Sequence, residues 1–330
     1  MIKKALRQTL RRLEVFILKI TSPLWVRLFK FITKTGSGTD TCLRYGFLPL
    51  PINYHSPVPD LHDLDQRQVW NKKSDLAGVD FDADKQVRLL LELGEKFGDE
   101  CDWPSAPTGK PLDFYTENNS FSFGCAASLH SIIRRYKPGR IYEIGSGNSS
   151  LIISSALIRN QAEGIPCEYI IIDPYPASCT GKGLPGLARV IKERVELTDI
   201  GYFQQLREND ILFIDSGHTV RTGGDVNFLF LEVLPRLAPG VIVHVHDIGL
   251  PFEYPKIYFT NPCFRMFWTE AYLLQAFLSF NSQFEILLAM AYLMTDKKDE
   301  FRNAFRHYDP GRHKASSGSF WLRRITKRPL

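Results

Sequence analysis

The fold is decided by Ile141-Tyr-Glu-Ile-Gly-Ser-Gly-Asn-Ser-Ser150, an apolar stretch that runs into two glycines and then into a helix-forming segment. Gly145 and Gly147 allow a tight turn and let a ligand approach the backbone. The helix that follows supplies free backbone N–H groups in its first turn. Ser150 replaces the third glycine of a dinucleotide-binding loop. The stretch therefore predicts a ligand-binding loop between a strand and a helix.

Strand-like and helix-like stretches surround this loop and alternate on its C-terminal side. Short apolar runs bounded by turn residues predict strands, and longer periodic stretches predict helices. This alternation is typical of an α/β fold whose parallel sheet is covered by helices on both faces. The predicted strands are 140–144, 168–172, 189–191, 210–214, 241–246, 284–289 and 319–324, and the predicted helices are 84–97, 125–136, 149–160, 182–188, 201–207, 225–237 and 268–280.

Acidic residues end the first two of these strands. Glu143 lies two residues before Gly145, where a carboxylate repels a pyrophosphate and attracts an ammonium group. Asp173, in Ile171-Ile-Asp-Pro-Tyr-Pro176, can accept two hydrogen bonds from a ribose diol, although on its own it would be interpreted as a turn residue. A nucleoside with an amino-acid tail and no phosphate suits both acids. The pair therefore predicts S-adenosylmethionine as the ligand.

Polar residues also follow the next two predicted strands. Asp215 ends one of them and His218 lies in the loop after it, while His246 and Asp247 end the other. Ligands of parallel α/β sheets bind beyond these carboxyl ends, so we predict that these residues belong to the site.

Two neighbouring polar residues are predicted to be structural. His244 shares a strand face with His246, and an imidazole inside a buried strand needs a hydrogen-bond partner, so we interpret it as a core histidine. Asp225 heads the predicted helix after Thr222-Gly-Gly224, where an aspartate commonly acts as the N-cap.

Together these motifs resemble the class I S-adenosylmethionine-dependent methyltransferases, in particular a branch associated with glycan- and antibiotic-tailoring O-methyltransferases. The resemblance covers residues 112–325, about two-thirds of the chain. It implies a doubly wound, Rossmann-like sheet of seven strands in the order 3-2-1-4-5-7-6, with strand 7 antiparallel. The stretches that carry it are 142–150, 172–176, 209–218, 234–240 and 246–255.

The resemblance also implies which residues bind the cofactor. The glycine loop would line the methionine part, with Glu143 near the amino end. Asp173 would hold the ribose, and Asp199 is a candidate for the adenine edge. The complete predicted cofactor set is Glu143, Gly145, Gly147, Asn148, Asp173, Asp199 and Asp215.

Some members of this family bind a divalent cation through an acid after strand 4 and an acidic pair after strand 5. Asp215 and Asp247 match two of these positions, but His246 stands at the third, where members usually have an acid or amide. An imidazole favours zinc, manganese or iron over magnesium, or no metal at all. A cation held by these three residues is therefore a candidate of uncertain identity.

The predicted reaction is methyl transfer to a hydroxyl of a sugar, glycan or related small molecule, a substrate class implied by the resemblance. The protein must position the acceptor and remove its proton. His218 is the predicted base because imidazole titrates near neutrality, with His246 as the alternative and an ordinary loop histidine as the competing interpretation. Aromatic and amide residues suited to a sugar ring, although equally ordinary in a core or a lid, are Tyr115, Asn118, Phe121, Phe123, Phe252, Tyr254 and Trp268.

Positive charge is concentrated at the two ends of the chain. Residues 1–34 contain nine Lys/Arg and one acid, and residues 312–330 contain six Lys/Arg and no acid, which leaves 26 basic and 35 acidic residues between them. This acidic middle and the lack of a nucleic-acid motif disfavour binding to RNA or DNA. The six cysteines lack CxxC spacing, which disfavours a zinc site and favours a reducing compartment, so we predict a cytoplasmic protein.

The N-terminal segment has helical periodicity, and Pro23 begins a second short amphipathic stretch. Its longest apolar run, Val15–Leu18, is too short for a signal peptide or a membrane span. Two interpretations stay open: a basic helix on the inner face of an anionic membrane, or a helix packed on protein. The apolar stripe consists of Ile2, Leu6, Leu10, Leu13 and Ile17.

The predicted organisation is a basic amphipathic helical segment (1–35), an irregular and helical extension (36–111) and a methyltransferase domain (112–330). One alternative is a nicotinamide-dependent oxidoreductase, which Glu143 and Ser150 disfavour. The other is a non-catalytic, membrane-associated binding protein that keeps the cofactor fold. The acceptor and the metal are left open by the sequence, and an oligomer is compatible with it.

Overall fold

The structure is a computed structural model that describes residues 2–110, 112–263, 265–314 and 317–326, with side chains from residue 10 onward. It divides into two compact units, Met1–Val69 and Trp70–Leu330. The domain boundaries after residues 35 and 111 stay a prediction. The side chains of Ile2 and Leu6 in the predicted stripe, and the last basic residues of the chain, lie outside the described part.

The first unit consists mainly of one long helix, α1 (Ile2–Thr35), which continues through Pro23. The predicted division at Pro23 is therefore wrong. A proline lacks the N–H that would bond to the carbonyl four residues earlier, here that of Lys19. The Ser22 hydroxyl donates to that carbonyl at 3.0 Å and replaces the missing bond. Two short helices follow, α2 (Thr39–Arg44) and α3 (Leu61–Gln66).

None of the helices in the described ranges combines the length and the apolar character that crossing a membrane requires.

Seven strands form the sheet of the second unit: β1 (Arg140–Ile144), β2 (Glu168–Ile172), β3 (Leu187–Ile191), β4 (Ile211–Ile214), β5 (Ile242–Val245), β6 (Phe284–Ala289) and β7 (Phe320–Arg324). Their order is β3-β2-β1-β4-β5-β7-β6. β7 is antiparallel to both β5 and β6, and the other pairs are parallel. The predicted α/β fold, strand order and orientation of the last strand are confirmed.

Helices pack around this sheet and agree with most of the predicted ones. The helical path that starts at Asp225 continues through a π-helical segment, Phe228–Val233, and a 3₁₀ turn, Leu234–Arg236. The segment predicted as helix 201–207 is a 3₁₀ helix, Ile200–Gln205. The helices of this unit are α4 (Ala83–Phe97), α5 (Phe123–Tyr136), α6 (Asn148–Ala162), α7 (Asp225–Asn227), α8 (Lys256–Thr260), α9 (Glu270–Leu278), α10 (Met290–Asp296) and α11 (Lys298–Ala304).

The helix predicted over 182–188 is wrong. The structure has a 3₁₀ turn at Ser178–Lys182, and β3 begins at Leu187. Gly183 and Gly186 have φ angles of +74° and +80°, which a right-handed helix cannot contain. The glycines therefore override the apolar residues of this stretch.

The register of the parallel strands positions the site. Ile144 of β1 is paired with Ile172 of β2 and with Ile214 of β4, and Ile214 is paired with Val245 of β5. The residues one step beyond these four therefore meet at one edge of the sheet, and they are Gly145, Asp173, Asp215 and His246.

A buried ion network joins the helices on one face of the sheet. Glu100 bonds to the Nε2 atom of His130 at 2.8 Å and accepts from the Nε atom of Arg134 at 3.0 Å. Arg134 also donates to Asn160 and Glu163. Since His130 and Arg134 are buried, losing Glu100 would leave polar groups without a partner.

Replacing Glu100 with glutamine is expected to lower the thermal unfolding temperature at neutral pH. Burial raises the pKa of Glu100, but the hydrogen bonds from His130 and Arg134 outweigh this effect and lower it to about 2, below the usual 4.5. The stabilisation is therefore present above pH 4.5 and is lost as the pH falls toward 2. Calorimetry should show that the difference in unfolding temperature between E100Q and the wild type becomes smaller as the pH falls from 4.5 toward 2.

The matched control for this prediction is Glu95→Gln, which removes an exposed carboxylate from α4. We expect it to change the unfolding temperature little at any pH. If E100Q lowered the unfolding temperature by the same amount at neutral and at acid pH, the role given to Glu100 would be contradicted.

Candidate functional site

The loop between β1 and α6 carries the two predicted glycines. Gly145 has φ of +81°, and a Cβ atom there would lie 2.3 Å from the backbone oxygen of Asp215. A Cβ atom on Gly147 would have no described atom within 4 Å. Gly145 thus allows the loop to approach β4, whereas Gly147 leaves open space beside the backbone.

Glu143 lies beneath this loop and is fully buried. Its carboxyl group accepts hydrogen bonds from Ser149 at 2.6 Å, from Ser150 at 2.8 Å and from the hydroxyl of Tyr169. Burial raises the pKa of Glu143 to about 7, although the three hydroxyls oppose this shift. The structure therefore gives Glu143 internal partners that order the loop, and its contact with a ligand's amino group stays a prediction.

Ser150 explains how the loop manages without a third glycine. Its Oγ atom accepts a hydrogen bond from the amide of Gly147 at 3.1 Å while it donates to Glu143. The hydroxyl thus connects the first turn of α6 to the end of β1. A glycine at this position could make neither bond.

Asp173 connects the loops that follow β1 and β2. One carboxylate oxygen accepts from the hydroxyl of Ser146 at 2.7 Å and the other from the amide of Tyr175 at 2.8 Å. The residue is 9% exposed. Its place at the end of β2 agrees with the prediction, and the contact with a ribose stays a prediction.

A cavity of about 470 Å³ opens beside this loop. Gly147, Asn148 and Leu151 line one side, and Tyr115 and Cys179 line another. The Asn148 side chain also donates to Ser120 at 2.8 Å. The cavity gives the glycine loop direct access to a ligand.

Asp199, the predicted contact for the adenine edge, is an exposed N-cap. Its side chain accepts from the amide of Gly201 at 2.7 Å at the start of the 3₁₀ helix Ile200–Gln205. This position after β3 has a structural explanation, and the adenine contact stays a prediction.

Four titratable side chains converge beyond β4 and β5. The Nε2 atom of His218 is 3.2 Å from Asp215 and 3.7 Å from Asp247, measured to their carboxylate oxygens. The Nδ1 atom of His246 is 3.4 Å and 3.6 Å from the same two carboxylates. Three possible metal-ligand atoms lie within 4.8 Å of one another, one each from Asp215, His246 and Asp247. The structure thus brings together the predicted catalytic and metal-binding residues.

The backbone is also unusual at this cluster. His218 and Asp247 have φ angles of +56° and +57°. Residues with side chains adopt this left-handed region infrequently, and such conformations concentrate at functional sites. The two strained positions aim side chains from neighbouring loops at one point.

His246 is the least satisfied member of the cluster. The residue is 3% exposed, and neither ring nitrogen has a hydrogen-bond partner among the described residues. Burial lowers the pKa of His246, but the negative charges of Asp215 and Asp247 outweigh it and raise the pKa. Its ring stacks on Phe121 at 5.1 Å between centroids, which fixes its plane. A buried imidazole aimed at two carboxylates can bind a cation once the ring has released its proton.

His218 has two carboxylate partners, because its Nδ1 atom bonds to Glu270 at 2.8 Å. Burial lowers the pKa of His218, but the hydrogen bonds with Asp215 and Glu270 outweigh this effect and raise the pKa to about 10. At neutral pH the ring is therefore protonated and donates hydrogen bonds. Since a protonated ring cannot accept a proton, the predicted role as a base requires His218 to lose this proton first.

Glu270 is a site residue that the sequence analysis missed. It is fully buried at the start of α9, and it also accepts a bond of 3.4 Å from the hydroxyl of Ser216. An acid in the first turn of a helix is common, so its position alone gave no signal. The available clue was a carboxylate heading an otherwise apolar helix, which needs a buried partner.

A second cavity, of about 830 Å³, opens directly over the charged cluster. Tyr254, Tyr258 and Trp268 form an aromatic wall, and Trp268 lies 4.4 Å from the ring of His218. Ser120 lines this cavity as well as the smaller one, so the two adjoin. The two cavities therefore share part of a wall.

The candidate sugar-binding residues separate into two groups. Tyr254 and Trp268 line the larger cavity and Tyr115 lines the smaller one. Phe121 and Phe123 are buried in the core. Lys314 and Cys125, which the sequence did not single out, also line the larger cavity. The aromatic wall comes mainly from the segment after β5.

Two structural predictions nearby have different outcomes. His244 is a buried core histidine that bonds to the hydroxyl of Ser319 at 2.9 Å and stacks on Phe213, as expected. Asp225 is not the N-cap of its helix, because Gly224 occupies that position. Its carboxylate accepts from the amide of Gly217 at 2.6 Å and so holds the loop before His218.

Comparisons with known proteins agree with this geometry. Residues 142–248 match a family described as a methyltransferase domain. An uncharacterized protein of Archaeoglobus fulgidus is 29% identical over 168 residues, which are 49% of this chain and 75% of that protein. The comparison with solved structures gives the crystal structure of a proposed methyltransferase from Thermobifida fusca YX, with 11% sequence identity and a TM-score of 0.30. The match covers 77% of this chain and 96% of that one, and it carries no inference. The similarity to a methyltransferase domain thus covers the segment from β1 to just beyond β5.

Proposed function

We propose that this protein is an S-adenosylmethionine-dependent methyltransferase that methylates a hydroxyl of a sugar, glycan or related small molecule. The observation that carries the proposal is the adjoining pair of cavities at one sheet edge. The glycine loop lines the smaller cavity, and the charged cluster lines the larger one. A donor and an acceptor bound side by side is the arrangement that a two-substrate transfer needs.

The smaller cavity is suited to a cofactor without phosphates. The cofactor supplies a methyl group on a positively charged sulfur, which is already reactive toward an oxygen nucleophile. Glu143 and Asp173 stand at the two strand ends that flank the loop, and no Lys or Arg ends β1 or β2. A pyrophosphate would therefore meet the negative charge of Asp173 at the end of β2.

The larger cavity has the composition expected for a hydroxyl-bearing ring. Tyr258 and Trp268 lie edge to face at 4.9 Å and offer faces on which a sugar ring can stack. The imidazole of His218 lies beneath this wall and donates toward Asp215. We assign to His218 the binding of the acceptor hydroxyl and, in the molecules whose ring has lost its own proton, the removal of the hydroxyl proton, with Glu270 holding the ring in place.

A divalent cation fits the residues present. Among the described residues neither nitrogen of the buried His246 ring makes a hydrogen bond, and the carboxylates of Asp215 and Asp247 lie 3.4 Å and 3.6 Å from its Nδ1 atom. Asp215, His246 and Asp247 would hold the ion. A cation bound here would lower the pKa of an acceptor hydroxyl. The imidazole favours manganese, iron or zinc over magnesium.

Binding of S-adenosylmethionine is the direct test of the proposal. Isothermal titration of the full chain should show a saturable heat with S-adenosylmethionine and none with NAD, because NAD carries a pyrophosphate. Asp173→Asn should weaken the binding, whereas Asp309→Asn, an exposed carboxylate change elsewhere, should not. Binding of NAD with no response to S-adenosylmethionine would favour the oxidoreductase and end this proposal.

Metal binding is expected to depend on the three-residue cluster. Titration calorimetry should give tighter binding of Mn²⁺ or Zn²⁺ than of Mg²⁺, and Asp215→Asn should weaken it by about tenfold or more because a charged ligand is lost. The spectrum of bound Mn²⁺ in electron paramagnetic resonance gives a readout independent of turnover. The exposed cap variant Asp199→Asn is the control. Equal affinity in the wild type and D215N would show that the ion binds elsewhere.

A further inference from the structure

The unit Met1–Val69 carries a large amount of exposed apolar surface. Ile20 is 63% exposed, Leu24 is 65% exposed and Phe31 is 57% exposed, although each is a large hydrophobic side chain. Contiguous surface of this kind marks an interaction site. The proposed methyl transfer gives it no role.

Seven exposed apolar residues of α1 form one line along the helix, and five more, Val15, Phe16, Leu18, Trp25 and Val26, lie outside it. They follow steps of three or four residues, which keeps them on one face. This line extends the stripe of the sequence analysis by more than three turns beyond Ile17 and passes Pro23 without a break. Its described members are Leu10, Leu13, Ile17, Ile20, Leu24, Leu28 and Phe31.

Three basic residues of α1 form a second line, about a third of the way around the helix from the first, while Arg11 and Arg27 lie outside it. Arg12, Lys19 and Lys30 are separated by seven and eleven residues, spacings that return to almost the same angle on a helix with 3.6 residues per turn. Lys34 lies one turn beyond Lys30. From residue 10 onward the helix has one acid, Glu14. The helix therefore combines a broad exposed apolar surface with a basic strip and a net positive charge.

This charge pattern favours a lipid surface over a second copy of the chain. From residue 10 onward the helix has six basic residues and one acid, so a second copy of it would be repelled, whereas an anionic headgroup layer neutralises this charge. Trp25 and Phe31 are side chains that suit the boundary between headgroups and acyl chains. Lysine and arginine stems can reach back toward the headgroups while the apolar line is inserted.

We infer that α1 lies in the surface of an anionic lipid bilayer, parallel to the membrane plane. The line from Leu10 to Phe31 enters the headgroup boundary, and Arg12, Lys19, Lys30 and Lys34 bind the negative headgroups. The inference does not depend on the proposed methyl transfer. It assigns the N-terminal unit a membrane-binding role separate from the chemistry of the second unit.

Co-sedimentation with vesicles tests this inference on the full chain. We expect binding to phosphatidylcholine vesicles that contain phosphatidylglycerol, weak binding to phosphatidylcholine alone, and release by high salt. The triple variant R12E/K19E/K30E should lose about 100-fold in affinity, since each basic residue near the surface strengthens binding several-fold. The variant I17Q/L24Q/F31Q should also lose binding to the charged vesicles, because the apolar face is required as well.

The matched control is K182E/K192E/K298E, which reverses three exposed lysines of the second unit and should bind like the wild type. Circular dichroism shows whether each variant keeps its helices. Brominated lipid should quench the tryptophan fluorescence of the wild type more than that of Trp25→Phe. This comparison gives a readout that needs no charge change. Wild-type protein that stays in solution with both vesicles would overturn the inference. So would a change from oligomer to monomer in I17Q/L24Q/F31Q with lipid binding intact, which would assign the face to a second copy.

Discussion

Replacing His218 with alanine is expected to lower kcat by about 10²–10⁴-fold, the usual contribution of a positioned acid–base group. The ring lies in the wall of the larger cavity between Asp215 and Glu270, so its loss removes the group nearest to a bound acceptor hydroxyl. Binding of S-adenosylmethionine should persist, because the glycine loop is untouched. Release of S-adenosylhomocysteine with a panel of sugar acceptors measures the effect.

Two companion variants separate the roles of His218 and Glu270. His218→Gln keeps a hydrogen-bond donor but cannot take up a proton, so activity near the wild-type level in H218Q would make His218 a donor and not a base. Glu270→Gln keeps the size of a positioning residue and removes its charge, and we expect a loss of about 10–100-fold with a shifted pH profile. Unchanged turnover in H218A would show that the assignment of His218 is wrong.

Replacing Gly145 with alanine is expected to destabilise the second unit by about 2 kcal/mol or more and to abolish cofactor binding. The φ angle of +81° disfavours a side chain, and the new methyl group would collide with the backbone oxygen of Asp215. Because that oxygen belongs to the end of β4, relief of the collision would displace the charged cluster as well. A lower unfolding temperature in calorimetry measures the effect.

The matched control is Gly147→Ala, two residues further along the same loop. Its φ of 172° is extended backbone, and a Cβ atom there has no described atom within 4 Å, so the variant should unfold like the wild type. The methyl group would still enter the smaller cavity, and we expect S-adenosylmethionine affinity to fall by about tenfold. Equal stability of G145A and G147A would contradict the strain argument, and unchanged affinity in G147A would move the cofactor away from this loop.

The sheet could be predicted because its strands are local patterns. Each of the strands around the glycine loop is a short apolar run that ends at a polar residue, and parallel connections leave few arrangements of such strands. The order of all seven strands came from the family resemblance. The helix predicted over 182–188 was wrong because Gly183 and Gly186 adopt backbone angles that a right-handed helix cannot contain. The break predicted at Pro23 was wrong because the hydroxyl of Ser22 replaces the hydrogen bond that the proline cannot donate.

The cofactor acids show where inference from sequence stopped. The positions of Glu143 and Asp173 at strand ends were predicted, but not their hydrogen bonds with Ser149, Ser150 and Ser146. These hydroxyls come from neighbouring loops whose approach depends on packing. The same applies to Asp225, which holds the amide of Gly217 and does not cap its helix.

The sequence by itself determined the α/β fold, the glycine loop and the set of polar strand ends, because these depend on local patterns and on a sheet whose parallel strands end at one edge. Only the tertiary structure decided that Glu270, 52 residues after His218, is its partner. It also decided that His246 is buried, with neither ring nitrogen hydrogen-bonded to a described residue. Contacts of that kind arise when distant segments pack together. The charge of a buried imidazole depends on those neighbours, which no single stretch of sequence contains.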